Sequence, residues 1–273
     1  MSEETECLYF KGKNESELFY QINNVAGIKV IGGCTFLSRL PEKSISTSMI
    51  KEYKGITKHE RYIEVGCAVT FSELEEIGER NLPKILWEAL KSSATPFIRN
   101  LATIGGNIAA KSHYLSLYSP LLALDAQVEI KKSNGNSIEG KFVSMQNFQG
   151  INEKSIISSV RIPLNDWDVS IYFRLGPDNI ITRESAGFSF LAASEKNALS
   201  QIRLAFAGPF AFRCTSLENR LQGQRLPLSG KEIESYIQEA EVAFDSEAEN
   251  KDYTPLLRQQ FLNLVRYSLE QLT

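Results

Sequence analysis

Histidine is scarce. The 273-residue sequence holds only His59 and His113, too few for a histidine-rich zinc site. A Ser-His-Asp triad would need one of them, and neither lies in a nucleophile-elbow context. His59, among Lys58, Glu60 and Arg61, reads as a solvated loop residue. The four cysteines (Cys7, Cys34, Cys67, Cys214) form no CxxC pair. That argues against a disulfide framework or an iron–sulfur centre held by this chain alone, and the expectation is four reduced thiols and no bound metal. No apolar run approaches the ~18 residues of a membrane span. MSEETECLYF lacks the zones of a secretory signal, so a cytoplasmic location is expected. Net charge is −3 with no basic stripe, which argues against a nucleic-acid partner. GxGxxG and a P-loop lysine are both missing, so neither a Rossmann nicotinamide site nor an ATPase is supported.

What is present is an ordinary globular composition, 42% hydrophobic and 23% charged, and length for about two domains at ~150 residues each. The first half alternates. ELFYQINNV (17–25) has helical spacing, IKVIGG (28–33) is a short strand ending in glycines, and YIEVGCAV (62–69) is a strand. Thr70 and Glu73 have capping-box spacing, so a helix follows; Pro83 opens another over 83–94. SPLLALDA (119–126) reads as a buried helical segment. Residues 127–142 read as a hairpin turning at Asn134-Gly135, and SIISSVRIP (155–163) as a strand. Beyond it three strands (168–175, 185–194, 199–209), with turns at 176–179 and 195–197, precede three helices (about 215–222, 230–246, 255–271). Capping boxes are expected at Thr215–Glu218 and Ser229–Glu232, and a Thr254-Pro255 start for the last helix. Strands followed by helices predict a separate α+β unit.

Two glycine pairs stand out. Gly32-Gly33 follows a strand and precedes Thr35; Gly105-Gly106 is flanked by Thr103 and Asn107. Consecutive backbone N–H groups at such points can form an anion-binding concavity that needs no charged side chain. Glycine lets phosphate oxygens approach the amides. Taken singly, each pair is also what an ordinary turn looks like. The residues by themselves reach a diphosphate-bearing ligand and go no further.

The same stretches resemble the flavin-binding medium subunit of the molybdenum hydroxylases, the xanthine dehydrogenase and carbon monoxide dehydrogenase family. VIGGCTFL is similar to that family's first flavin loop, usually Ala-Gly-Gly-Thr-Asp-Leu. YIEVGCAVTFSELEEI resembles its Ile-Gly-Ala-x-x-Thr-x-x-x-Leu segment, and IRNLATIGGNIA its second flavin loop nearly letter for letter. IISSVRIP and IRLAFAGPFAFRCTSLENRLQG resemble the closing strand and the start of a small C-terminal domain. The match is collinear over nearly the whole chain.

The resemblance implies an α+β fold. A two-lobed FAD-binding domain of the PCMH/vanillyl-alcohol-oxidase-like type would cover 1–165, with lobes of roughly 1–55 and 56–165. A C-terminal domain of three antiparallel strands and three helices would cover 166–273, like that of CO dehydrogenase flavoproteins. FAD would lie extended between the lobes with its diphosphate on both glycine loops. Carried over residue by residue, its contacts would be Val30, Ile31, Gly32, Gly33, Cys34, Thr35, Phe36 and Leu37; Thr103, Ile104, Gly105, Gly106 and Asn107; Ile157 on the closing strand; and Arg174, near a position that is often Lys. After the second loop the family usually has Ser-Pro-x-x-Asp, whose Asp binds FAD. Here His113 stands at the Pro and Ser116 at the Asp. Cys34 replaces a Gly or Asn, and Phe36 an acidic residue. Arg99 and Asn100 are expected to brace the second loop from behind by backbone hydrogen bonds, Trp87, Tyr114 and Tyr118 to pack in a core or interface, and Lys111 to be solvated.

By that resemblance the chain is an oxidoreductase subunit that carries electrons rather than oxidising the organic substrate, and no catalytic residue is assigned. A large partner would hold the molybdenum cofactor and a small one two [2Fe–2S] clusters. Electrons would pass through FAD to NAD+ or another acceptor. Two alternatives stay open: a stand-alone FAD-dependent reductase or oxidase, and an assembly subunit that has lost FAD.

Overall fold

A computed structural model describes residues 7–110, 112–134, 137–178 and 180–272. The chain divides into two compact units, one of residues 1–78, 95–111 and 126–163, the other of 79–94, 112–125 and 164–273.

The first unit starts with β1 (Leu8–Lys11), α1 (Glu15–Asn24), β2 (Lys29–Ile31) and β3 (Lys43–Ser46). The strands form a parallel sheet in the order β1-β3-β2. Asn14 caps α1 by accepting from the Glu17 amide at 2.9 Å, and the helix buries Leu18, Phe19 and Ile22 on one stripe. Next come β4 (Ile56–Lys58), β5 (Tyr62–Gly66) and α2 (Phe71–Glu76). The Thr70–Glu73 capping box is present in full. After α3 (Lys84–Ser92), which belongs to the second unit, the chain returns through α4 (Pro96–Arg99) and α5 (Ile104–Ala109). Then α6 (Tyr118–Ala123), again in the second unit, precedes β6 (Gln127–Ser133), β7 (Ile138–Ser144) and β8 (Ser155–Pro163). Strands β4 to β8 make a sheet in the order β4-β5-β8-β6-β7, antiparallel throughout. The central strand β8 is buried over most of its length, as a strand covered on both faces must be. A β-bulge falls opposite Glu129 and Ile130, where Ser158 is the extra residue. The hairpin forms as its sequence predicts; Gly135 of its turn lies outside the described residues, as do Asn179 and Lys111.

The second unit is built on an antiparallel sheet in the order β12-β11-β10-β9. Its strands are β9 (Val169–Leu175), β10 (Ala186–Glu195), β11 (Ala198–Ala207) and β12 (Ala211–Arg213). The sequence shows three of these strands; the fourth is three residues long, too short to carry a period. One face packs on α7 (Thr215–Leu221), α8 (Gly230–Glu247) and α9 (Pro255–Glu270) around Phe188, Phe190, Phe206, Phe210, Phe212, Phe244 and Phe261. Phe244 and Phe261 lie 5.0 Å apart, one of many tilted or edge-on ring pairs in this core. The other face meets α6, where Ser119 and Ser189, both fully buried, share a 3.0 Å hydrogen bond.

The Ser229–Glu232 capping box and the Thr254 cap are as expected. The Thr215–Glu218 box does not form. Cys214 precedes the helix without a side-chain cap. Glu218 is drawn inward instead, accepting from the Leu204 amide at 2.9 Å and from Arg213 Nη2 at 2.8 Å. Arg213 also pairs with Asp125, which Arg203 reaches at 3.0 Å. A buried charge pair outranks a local cap because unpairing it costs more than losing a cap.

Candidate flavin site

The first glycine loop leaves the C-terminal end of β2. Its root is pinned by the Thr47 amide, which donates to the Ile31 carbonyl at 3.2 Å. Cys34 then takes a left-handed conformation (φ 57°), and Leu37 closes the turn by donating to the Cys34 carbonyl at 3.3 Å. The amides of Gly32, Gly33, Cys34, Thr35 and Phe36 have no acceptor among the described residues. Five consecutive donors without partners, on a loop that is at most partly buried, are a ready anion site. Burial raises the pKa of the Cys34 thiol, so it stays protonated near neutrality.

The second loop is built differently from the expectation. Thr103 caps α5, its hydroxyl accepting from the Gly106 amide at 3.1 Å. The Ile104 amide donates to Val69 and the Gly105 amide to Cys67, each at 3.0 Å, and the Asn107 amide to Thr103 at 2.9 Å. The anticipated row of free amides is therefore absent here, because the loop spends them on its own anchoring. What it offers is a close-fitting platform. A Cβ on Gly105 would lie 2.6 Å from Cys67 Cβ, and one on Gly106 2.9 Å from Thr103 Oγ1. Asn107 adds a buried Oδ1 without a hydrogen-bond partner among the described residues. A buried polar atom left so is costly and calls for an explanation.

The structure brings the two loops together. A Cβ on Gly33 would overlap the Leu101 carbonyl, and one on Gly32 would lie 2.6 Å from Thr103 Oγ1. Ile157, 5% exposed, sits on β8, the strand on which α5 packs. Arg99 and Asn100 tie down the segment before the loop through their side chains, not only through the backbone hydrogen bonds expected. Arg99 Nε donates to Glu75 at 3.0 Å, and Ser72 and Asn100 share a 2.5 Å hydrogen bond. Both contacts tie α4 to α2. Sequence reasoning missed Leu101 and Cys67, since each contributes a backbone carbonyl, which leaves no mark on residue type.

Ser116 and Arg174 belong to the second unit. There the Ser116 carbonyl accepts from Tyr172 Oη at 3.2 Å, and Arg174 donates to the Pro177 carbonyl at 2.8 Å. His113 lies 4.7 Å from the Tyr118 ring, and burial lowers its pKa. Tyr118 is buried, as expected; Trp87 is half-buried, with the Lys91 ammonium 5.5 Å from the centre of its ring.

The family model described as the FAD binding domain in molybdopterin dehydrogenase matches residues 4–165. The chain belongs to that family. This FAD-binding chain is 30% identical over 205 residues to the xanthine dehydrogenase FAD-binding subunit of Escherichia coli O157:H7, covering 70% of this chain and 68% of the relative. Its fold is that of solved carbon monoxide dehydrogenases. One, the cyanide-inactivated Cu,Mo enzyme, aligns with a TM-score of 0.81 at 15% identity over 97% of this chain and 96% of the other. That from Hydrogenophaga pseudoflava gives 0.79 at 19% identity over 97% and 95%. The protein is thus a flavoprotein of an oxidoreductase family, its cofactor is FAD, and the α+β fold is the one the sequence implied. Among the described residues no helix is long and apolar enough to cross a membrane, and no cluster of metal-ligating side chains is found.

The residues fit FAD. A diphosphate carries only acceptors, and the first loop offers a run of amide donors without partners among the described residues; the second loop carries no side chain at Gly105 or Gly106. The orphaned Asn107 oxygen needs a donor, which the hydroxyls of the cofactor possess.

Proposed function

We propose that this chain is the electron-transfer flavoprotein subunit of a molybdenum hydroxylase complex. A small subunit with two [2Fe–2S] clusters would feed it electrons released at a large molybdenum subunit, and NAD+ or another acceptor would receive them. The observation that carries this reading is the run of five unsatisfied amides from Gly32 to Phe36, seated against the second glycine loop. Bound FAD supplies the interchange between single-electron and hydride chemistry; the protein supplies binding, orientation and electrostatics.

On this reading the Gly32–Phe36 amides hold the diphosphate, each bond to a charged oxygen contributing roughly 1.5–3 kcal/mol. Thr35 and Thr103 border it, Asn107 accepts from a cofactor hydroxyl, and Val30, Ile31 and Leu37 complete the first loop as Ile104 does the second. Ile157 touches the flavin moiety from β8. The resemblance adds Arg174 and Ser116, the latter standing where the family has a carboxylate. The same reading keeps the division at 165/166 and a cytoplasmic location.

Purification with visible flavin absorbance, together with co-purification of an iron–sulfur chain and a molybdenum chain, is the expected result. A colourless protein that takes up no added FAD would point to the scaffold alternative. Turnover by the lone flavinylated chain would point to the stand-alone enzyme.

A further inference from the structure

The first turn of α1 is tied to the five-stranded sheet through one oxygen atom. Glu15 Oε1 accepts from Lys131 Nζ at 2.7 Å and from Tyr53 Oη at 2.9 Å. These partners are 116 and 38 residues away in sequence, and neither pairing follows a local pattern. Glu15 opens the helix that leads into β2 and the first glycine loop. Lys131 lies on β6, and Tyr53 ends the 3-10 turn Lys51–Tyr53 that leads into the five-stranded sheet.

The junction is well shielded. Tyr53 is 1% exposed, and the Glu15 and Lys131 side chains are 23% and 24% exposed. Burial, and after it the bond to Glu15, push the Tyr53 phenol far above its ordinary range, so it remains a donor. By contrast Lys29–Glu153, which also joins the region of β2 to the far part of this unit, is exposed at 53% and 86% and contributes little.

From Tyr53 the linkage runs to the glycine platform. The Tyr53 carbonyl accepts from the Ala68 amide at 2.9 Å, and a Cβ on Gly66 would overlap that carbonyl. The neighbouring Cys67 carbonyl holds the Gly105 amide at 3.0 Å. An unbroken path of short contacts therefore connects the helix before the first loop to the back of the second.

Resting on the FAD reading above, we propose that Glu15 is a positioning residue for the flavin site, fixing the spacing between the Gly32–Phe36 amides and the Thr103–Asn107 platform. A cofactor that bridges two loops binds well only at one spacing. A simple stabilising ion pair would lower the melting temperature and leave FAD affinity untouched.

The test compares wild type, Glu15→Ala, Glu15→Gln and Lys131→Met. FAD dissociation constants are measured from flavin fluorescence well below every melting point, with melting of the FAD-free proteins in parallel. Glu15→Ala is expected to weaken FAD binding roughly ten-fold or more, since displacements of ~1 Å at a bound ligand are costly. Glu15→Gln keeps an acceptor oxygen for both donors and is expected to stay close to wild type. Lys131→Met, which spares the Tyr53 bond, should fall between them. Glu15→Ala that melts lower yet binds FAD as wild type does overturns the proposal. If that variant fails to fold, Lys131→Met decides: weaker binding supports the proposal and unchanged affinity overturns it. Wild-type protein that binds no FAD refutes the underlying reading instead.

Discussion

Gly33 rests against the carbonyl oxygen of Leu101 with no room for a side chain between them. Leu101 immediately precedes the Ala102-Thr103 entry to the second glycine loop, so this contact brings together two segments about 70 residues apart. The first loop contributes amides and the second a support.

The Gly33–Leu101 contact makes Gly33→Val a sharp probe. Its β-carbon would drive the loops apart, so FAD content should fall at least about ten-fold while circular dichroism stays native. Gly55→Ala is the control, because a β-carbon at Gly55 meets nothing within 4 Å. The flavin-to-protein absorbance ratio reads both. Full occupancy in Gly33→Val would remove the first loop from the site.

Thiol labelling checks the same site without any enzymatic assay. Cys7 is exposed and Cys34 partly so, whereas Cys67 and Cys214 are buried with thiols pushed up to about 12 and about 11. Iodoacetamide should modify Cys7 first, Cys34 more slowly, and the other two only on unfolding. Added FAD should slow labelling at Cys34 and leave Cys7 unaffected, as read by peptide mass spectrometry. Equal Cys34 labelling with and without FAD would contradict the loop assignment.

Within the second unit the Ser119–Ser189 pair lends itself to a double-mutant cycle. Ser119→Ala strands a fully buried hydroxyl on Ser189 and should cost about 1–3 kcal/mol in urea unfolding. The double change to alanine removes both polar groups and should recover part of that loss. Additive losses would mean the two hydroxyls do not depend on each other.

Acid should loosen the α8–α9 pair. The Arg258 hydrogen bond holds the Asp245 carboxyl below its ordinary 3.8. A carboxyl with a depressed folded-state pKa contributes stability that is present above the unfolded value and lost as pH falls through the folded one. The melting temperature should therefore drop below about pH 4, with a shallower drop in Arg258→Met. An identical slope in that variant would show that other carboxylates carry the effect.

Signals that live within a few residues were legible. The Thr70–Glu73 and Ser229–Glu232 boxes formed because their partners are three residues apart and no buried charge draws the carboxylate away; Lys54 reaches only the other oxygen of Glu73, at 3.8 Å. Thr215–Glu218 has the same spacing and did not form, because Arg213 and the Leu204 amide claim the carboxylate. Strands β1, β3, β4 and β12 escaped notice because three or four residues cannot display an alternation, whereas the equally short β2 was marked by the glycines that end it.

The sequence by itself determined where the glycines fall, the order of the two glycine loops, the family to which the chain belongs and most of the longer elements. These rest on residue identity and on spacings shorter than a helical turn or a strand. Only the tertiary structure decided that the first loop keeps its amides free while the second consumes its own, and that Gly33 presses on Leu101. It alone joined Glu15 to Tyr53 and Lys131. Backbone donors and acceptors are the same in every residue except proline, so where they pair depends on which distant segment the fold brings within reach.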